Sequence, residues 1–254
     1  MAESVDDAST MPDPPQITVP RVTEPPQIDG NPDDPAWDRA ARIDSLELSA
    51  GPQAEGLEPV PTEVRLLWSP KFLYVRFRCT DTDLHVPHHG RDADLYKGDV
   101  VEVFLDGVGD GRQYIELQVS PAGDVLDLMH VLSGPVESRP DGMNRPEQDQ
   151  RERWLFRGWD CEELRTAARV QKNDDSVEGW VVEMAVPAPP VVKRRGKKKF
   201  AAGMDLRANF VRYERPMDPD TDERIFIAMN WSPVMWGNPH RSPARMGKLS
   251  LTEE

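Results

Sequence analysis

The sequence predicts an all-β fold, an antiparallel β-sandwich of jelly-roll type with one or two short helices. Apolar and polar residues alternate with period two over most of the chain, and the alternating segments follow one another in hairpin order. The 25 prolines among 254 residues punctuate the chain and argue against long helices. Strands in hairpin order without intervening long helices are typical of a sandwich.

The domain organisation is simple. Residues 1–14 are acidic and rich in Ser, Asp and Pro, which predicts a disordered tail. Residues 15–254 form a single predicted domain, because no linker-like segment separates two cores. A short helix is expected over residues 35–41, where Asp34 supplies an N-cap and Pro35 the first helical position. A second short helix is expected over residues 162–165.

The predicted strands have bounds that follow the alternation and the turn residues between them. The first two form a hairpin around Ser69-Pro70-Lys71, and the polar segment 133–150 is a surface excursion. Four tryptophans are assigned to the core: Trp37, Trp68, Trp180 and Trp231. The predicted strands are 62–68, 72–79, 99–106, 112–120, 125–131, 167–172, 180–186, 203–213, 225–231 and 246–251.

Charge and hydropathy exclude several partner classes. The formal net charge of −14 disfavours phosphate backbones and anionic lipid, and no run approaches the ~20 apolar residues of a membrane span. Neither nucleic acid nor membrane is expected, although the basic run 193–199 leaves a nucleic-acid contact as the alternative to a solvated loop. The start of the chain lacks a secretory signal, so we expect a cytoplasmic protein, or a secreted one whose leader was removed. Two cysteines are too few for a disulfide framework.

Several short phrases recur in a familiar order between residues 28 and 251. They are Ile28-Asp29-Gly30 with Pro35-Ala36-Trp37, Leu67-Trp68-Ser69 with Leu73-Tyr74-Val75, Tyr96-Lys97-Gly98-Asp99 with Val101-Glu102-Val103-Phe104, Tyr114-Ile115-Glu116, Gly179-Trp180 with Val182-Glu183, Arg207-Ala208-Asn209-Phe210 with Arg212, Trp231-Ser232-Pro233, His240-Arg241-Ser242-Pro243 and Gly247-Lys248-Leu249. The series resembles the family 9 carbohydrate-binding modules, within the wider group of DOMON-like β-sandwiches. The resemblance implies non-catalytic binding of an oligosaccharide or polysaccharide.

The resemblance also implies where a sugar would bind. In this family two tryptophans sandwich a terminal sugar, and these positions fall on Tyr96 and near His240 in this chain. The acidic ligand matches Glu102, while a basic ligand falls on Gln118 and an amide on Arg207. Both aromatic positions are therefore changed, and Trp236 is a candidate replacement ring.

The chemistry of these side chains fits a sugar, which has an apolar face of C–H groups and a rim of hydroxyls. Alternation places Glu102 and Gln118 on one face of neighbouring strands. The candidate sugar-binding residues are Tyr96, Glu102, Gln118, Arg207, Asn209, Trp236 and His240. Structural alternatives stay open: Glu102 could pair with Arg207 across the sheet, Tyr96 could cap a loop, and Trp236 could be buried.

Other functions are weighed against carbohydrate binding. No cofactor is predicted, but the resemblance leaves structural calcium open, for example at Asp81-Thr82-Asp83. The cluster of His85, His88 and His89 fits no zinc signature, and a solvated loop is the expected reading. The haem-binding branch of the DOMON-like group is an alternative, with Met184, Met204 and Met229 as possible ligands or core residues. Glu102 and Glu116 are not predicted to act as a pair of catalytic carboxylates.

The sequence therefore predicts a monomeric, non-catalytic carbohydrate-binding domain that supports carbohydrate catabolism beside a glycoside hydrolase. The alternative is a sandwich that serves as a ligand-free interaction module.

Overall fold

The computed structural model describes residues 13–49, 54–132, 153–232, 240 and 243–253. Its described strands, numbered in chain order, form two sheets. The larger sheet contains β1 (Gln16–Pro20), β3 (Glu47–Leu48), β6 (Val100–Asp106), β7 (Gln113–Val119), β8 (Val125–Leu132), β9 (Arg153–Phe156), β12 (Asp205–Glu214), β13 (Ile227–Asn230) and β14 (Gly247–Thr252). The smaller sheet contains β2 (Ala41–Ile43), β4 (Thr62–Trp68), β5 (Phe72–Thr80), β10 (Arg165–Asn173) and β11 (Ser176–Pro187).

The topology is that of the predicted all-β sandwich. The larger sheet has the order β1-β14-β12-β6-β7-β8-β9, with β13 paired to β12 and to β3, and the smaller sheet has the order β10-β11-β5-β4-β2. Among the described strands every pairing is antiparallel except that of β1 with β14, which is parallel. The expected hairpin of β4 and β5 is confirmed, with Thr62 opposite Cys79.

The core lies between the two sheets because alternate residues of each strand point inward. Phe77 of β5 meets Phe210 of β12 edge to face, with ring centroids 6.2 Å apart. All four tryptophans assigned to the core are buried, as predicted. On β6 and β7 the core side takes Val101, Val103, Leu105, Ile115, Leu117 and Val119. The residues between these point away from the core, and they include the polar candidates.

The segment before β2 is fixed to the smaller sheet by one carboxylate. Asp34 caps the 3-10 helix Pro35–Arg39, as predicted, by accepting a hydrogen bond from the Ala36 amide. Glu183 of β11 accepts hydrogen bonds from the amides of Asp29 and Gly30 and from Trp37 Nε1, at 3.1, 2.9 and 2.9 Å. The phrases around residues 28–37 and around Glu183 therefore meet in space and hold the fold.

The expectation of a second helix needs correction. Residues 162–163 form a turn and β10 begins at Arg165, so the helix expected over 162–165 is wrong. A helix occurs instead at α1 (Ala188–Val192), and two prolines lie in its first turn. They are tolerated there because backbone amides in the first turn have no acceptor within the helix. Within the described ranges, no helix has the length and apolar character to cross a membrane.

The basic run after α1 is only partly a solvated loop. Lys193–Arg195 forms a 3-10 helix. Arg194 makes a two-pronged ion pair with Asp110, at 3.0 and 2.6 Å, and Arg195 donates to the Asp205 carbonyl at 2.6 Å. The excursion expected over 133–150 lies outside the described residues, as does most of the acidic tail.

Candidate functional site

A cluster of polar side chains is buried on the face of the larger sheet that points away from the core. Glu102 on β6 lies directly opposite Gln118 on β7, and Tyr114 on β7 lies directly opposite His130 on β8. Glu116 lies between these two pairs on β7. Each of the five side chains belongs to a residue only 1–2% exposed. The structure thus places Glu102 and Gln118 on one face, as the alternation predicts.

Glu116 is the centre of the hydrogen-bond network. Its Oε1 atom accepts from Gln118 Nε2 at 2.5 Å, and its Oε2 atom bonds to His130 Nε2 at 2.7 Å. His240, from the segment between β13 and β14, brings its Nε2 atom to 3.5 Å from the same Oε2 atom. The Tyr114 hydroxyl lies 3.0 Å from His240 Nδ1, and the Tyr114 ring stacks on His130 with centroids 4.6 Å apart.

The two carboxyl groups of the cluster are held in different states. Burial, together with the neighbouring Glu116, raises the pKa of Glu102 well above its usual range. Burial alone would also raise the pKa of Glu116, but His240, His130 and the Gln118 hydrogen bond lower it to about 2. Glu116 is therefore ionised at neutral pH, and Glu102 holds a proton more strongly than an ordinary glutamate. Among the described residues, Glu102 Oε1 and Gln118 Oε1 have no hydrogen-bond partner.

A pocket of about 560 Å³ opens onto this cluster. Its walls combine aromatic rings, apolar side chains and arginines: Tyr96, Leu128, Arg153, Leu155, Arg157, Tyr213, Arg215 and Phe226. Tyr96, on the 3-10 helix Leu95–Lys97, is 39% exposed. Tyr213 and Phe226 contact each other edge to face, with centroids 5.0 Å apart. The pocket thus joins a polar floor to an aromatic rim.

Two predicted site residues do not line this pocket. Arg207 and Asn209 lie on the same face of β12, but Arg207 donates to the Met246 carbonyl and Asn209 brackets the backbone of Ser232. Arg207 lies opposite Asp106 on β6, so the alternative pairing with Glu102 is not formed either. Both residues hold the segments that flank β13 and β14. Trp236 lies outside the described residues.

Several residues of the pocket were not among the predicted site residues. Glu116 shares its parity on β7 with Gln118, and this signal could have added it to the set. His130 has the matching parity on β8. Tyr213 shares its parity on β12 with Arg207 and Asn209, so alternation could have added it as well. Phe226 carried no comparable signal, because it lies in the loop before β13.

Within the described part of the chain, two groups of side chains have donor atoms close enough to hold a metal ion. In one, the donor atoms of Glu116, His130 and His240 all lie within 4.8 Å of one another. The other group unites three acidic residues: Asp81, Asp99 and Glu214. There the buried Arg212 guanidinium bonds to Glu214 and lies 3.8 Å from Asp81 Oδ2, in the position that a cation would take.

Several other side chains that were considered for metal or haem contact protein groups instead. In the turn considered for calcium, Asp83 pairs with Arg224 at 3.0 Å. His89 of the histidine cluster pairs with Asp124 at 2.9 Å. Met184 and Met229 are buried in the core, and Met204 packs against it.

One family model of known proteins matches part of the chain. Residues 28–120, which are 93 of the 254 residues, match the family model described as carbohydrate family 9 binding domain-like. No curated protein matches the chain.

The fold is shared with solved structures. A family 9 carbohydrate-binding module from Caldicellulosiruptor kristjanssonii in complex with cellotriose has a TM-score of 0.61 at 18% identity, covering 94% of each chain. A family 9 module from the same organism in complex with glucose has a TM-score of 0.61 at 18% identity, covering 94% of this chain and 96% of the other. A putative carbohydrate-binding protein from Bacteroides uniformis gives 0.66 at 15% identity, covering 94% of this chain and 100% of the other.

These identities establish a common fold, and the family match covers β2–β7 with the floor residues Glu102, Glu116 and Gln118. The resemblance predicted from the sequence is confirmed as a similarity: residues 28–120 match the family model, and the chain shares the β-sandwich fold of these solved structures.

Proposed function

We propose that this protein binds a neutral carbohydrate in the pocket above β6, β7 and β8 and performs no chemistry on it. The observation that carries the proposal is the pair Glu102 and Gln118. Two buried side chains, directly opposite each other, present oxygen atoms to a pocket with an aromatic rim, and these atoms have no partner among the residues that the structure describes. A buried polar atom without a partner is costly, so such atoms favour a ligand that supplies hydrogen bonds.

The donors and acceptors of the floor suit hydroxyl groups. The raised pKa of Glu102 favours the protonated carboxyl, which can donate one hydrogen bond and accept another. The ionised Glu116 lies beside Gln118, whose amide oxygen accepts. A sugar hydroxyl both donates and accepts, so adjacent hydroxyls can satisfy this mixed set. A hydrogen bond to a charged group contributes about 1.5–3 kcal/mol, and a neutral one about 0.5–1.5 kcal/mol.

The rim suits the apolar face of a sugar ring. Tyr96 is exposed at the pocket edge, while Tyr213 and Phe226 form an aromatic pair on the wall. Sugar C–H groups can pack on these rings while the hydroxyls reach the floor. The pocket volume of about 560 Å³ accommodates a short saccharide or the end of a chain. Since the structures with the shared fold include complexes with glucose and cellotriose, these two sugars are the first ligands to test.

Titration calorimetry with glucose and cellotriose tests the proposal. Gln118→Leu removes the amide oxygen and should weaken binding about tenfold, or ~1.4 kcal/mol. Gln113→Leu is the matched control, because Gln113 lies on the same strand with its side chain on the other face of the sheet, and it should keep the wild-type affinity. Thermal unfolding of both variants checks that they are folded. If neither sugar binds the wild type, or if Gln118→Leu binds like the wild type, the assignment is wrong.

The wider role follows from the same proposal. A module that binds sugar without catalysis would hold a polysaccharide near an enzyme, and we place this chain beside a glycoside hydrolase in carbohydrate catabolism. We propose that it acts as a monomer and binds neither nucleic acid nor membrane. The net charge of −14 supports this, since neutral sugars are unaffected by the repulsion that polyanions meet.

A further inference from the structure

We propose that Glu116, His130 and His240 form a binding site for a divalent transition metal of the zinc type at the floor of the pocket. Three donor atoms converge: Glu116 Oε2 lies 2.7 Å from His130 Nε2 and 3.5 Å from His240 Nε2. The three residues come from β7, β8 and the segment before β14. This inference does not depend on carbohydrate binding, because the metal needs only these side chains and water.

The observed spacing is close to that of a metal centre. With bonds of about 2.0–2.1 Å in tetrahedral geometry, neighbouring ligand atoms lie about 3.3 Å apart. The contact between Glu116 and His240 at 3.5 Å already has this length. The contact between Glu116 and His130 must open by about 0.6 Å, which a small rotation of the Glu116 carboxylate supplies.

The charge balance of the floor independently favours a cation. Glu102 and Glu116 are both buried on neighbouring strands, and the described hydrogen bonds of Glu116 come from an amide and an imidazole. Glu102 Oε1 has no partner among the residues that the structure describes. Two buried carboxyl groups without a bonded arginine or lysine are expensive. A divalent ion would balance the charge of Glu116, and Glu102 could turn its oxygen without a described partner towards that ion.

The surroundings of the histidines also fit a metal site. Ligating histidines usually hydrogen-bond through the second ring nitrogen, which orients the ring. The Tyr114 hydroxyl lies 3.0 Å from His240 Nδ1 and leaves Nε2 directed at Glu116. His130 stacks on the Tyr114 ring, and its Nδ1 atom has no hydrogen-bond partner among the described residues, so stacking alone orients this ring. Gln118 holds the other Glu116 oxygen at 2.5 Å, so all three ligands are positioned by neighbours.

The donor set selects the class of metal. Two imidazoles and one carboxylate suit Zn²⁺, Co²⁺ or Ni²⁺, whereas Ca²⁺ and Mg²⁺ prefer oxygen ligands alone. Three protein ligands leave a fourth position for water or a ligand in the open pocket. The site would therefore be accessible rather than closed.

Metal titration of the chelator-treated full chain tests this inference. Zn²⁺ should bind with one-to-one stoichiometry by calorimetry, and Co²⁺ should give the visible absorption of a tetrahedral complex. His240→Ala should weaken Zn²⁺ binding at least tenfold, and Glu116→Gln should do the same. His240 is the safer variant, because its side chain is 18% exposed and its truncation leaves the strands intact.

His89→Ala is the matched control, since His89 pairs with Asp124 on the surface and lies outside the cluster. It should bind Zn²⁺ like the wild type. The inference is overturned if the wild type binds no stoichiometric Zn²⁺, or if His89→Ala loses binding while His240→Ala retains it. Sugar titrations with chelator present keep the two proposals separate, because sugar binding without metal binding, or the reverse, removes only one of them.

Discussion

Glu183 provides the most quantitative test of how this sandwich is held together. Its two carboxylate oxygens accept three hydrogen bonds, from the amides of Asp29 and Gly30 and from the indole of Trp37, and the residue is fully buried. In Glu183→Gln one oxygen remains for Trp37, but the new amide group faces two N–H donors. At about 1.5–3 kcal/mol for each bond to a charged acceptor, two lost bonds cost about 3–6 kcal/mol. This is a large part of the 5–15 kcal/mol typical of domain stability.

Urea unfolding measures this cost directly. Glu183→Gln should lower the denaturation midpoint with little change in slope, since the exposed surface on unfolding stays the same. Glu178→Gln on the same strand is the control, because Glu178 is exposed, and its effect should lie within about 0.5 kcal/mol. Equal midpoints for the two variants would refute the role given to the Glu183 hydrogen bonds.

Two further predictions concern the pocket rim and a buried acidic cluster. Tyr96→Ala should weaken sugar binding about tenfold, ~1.4 kcal/mol, in calorimetry without lowering the thermal unfolding temperature. Trp154 is an aromatic residue that is 62% exposed outside the pocket, so Trp154→Ala should change neither the sugar affinity nor the unfolding temperature. Burial raises the pKa of Glu214 to about 8, against the lowering effect of Arg212 and with Asp99 adding to the rise. The folded protein then keeps a proton that the unfolded chain releases, so stability should fall as pH rises from about 4.5 through 8. Glu214→Gln should flatten this dependence in urea unfolding between pH 6 and 9, and an unchanged slope would contradict the assignment.

The fold could be predicted because its long strands carry a strong period-two pattern. The strands that escaped prediction, β1, β2, β3 and β9, have two to five residues, which is too short for alternation to stand out. The parallel pairing of β1 with β14 joins the two ends of the domain, and no local pattern encodes such a contact. The helix α1 was not predicted, because prolines usually break helices and nothing in the sequence indicated that these lie in the first turn.

The site could be predicted only in part, because parity gives the face of a residue but not its position along the strand. Glu102 and Gln118 were placed together correctly since they are direct cross-strand neighbours. Arg207 has the right face, but it lies four residues from Val211, the residue opposite Glu102. At about 3.3 Å for each residue this is about 13 Å, too far for both side chains to reach one sugar ring.

The phrases that carry the family resemblance serve two different physical purposes. One set of contacts lies away from the pocket and fixes how the chain enters the smaller sheet. It joins Ile28-Asp29-Gly30 and Trp37 to Glu183. These residues specify the sandwich fold, and the same fold can carry many different side chains on the floor of its pocket. The ligand depends on the few side chains that project from β6, β7 and β8. In this chain the floor places an ionised Glu116 beside two histidines, and it places Glu102, whose pKa is raised by burial, beside Gln118. The binding chemistry of the floor therefore has to be measured on these residues themselves.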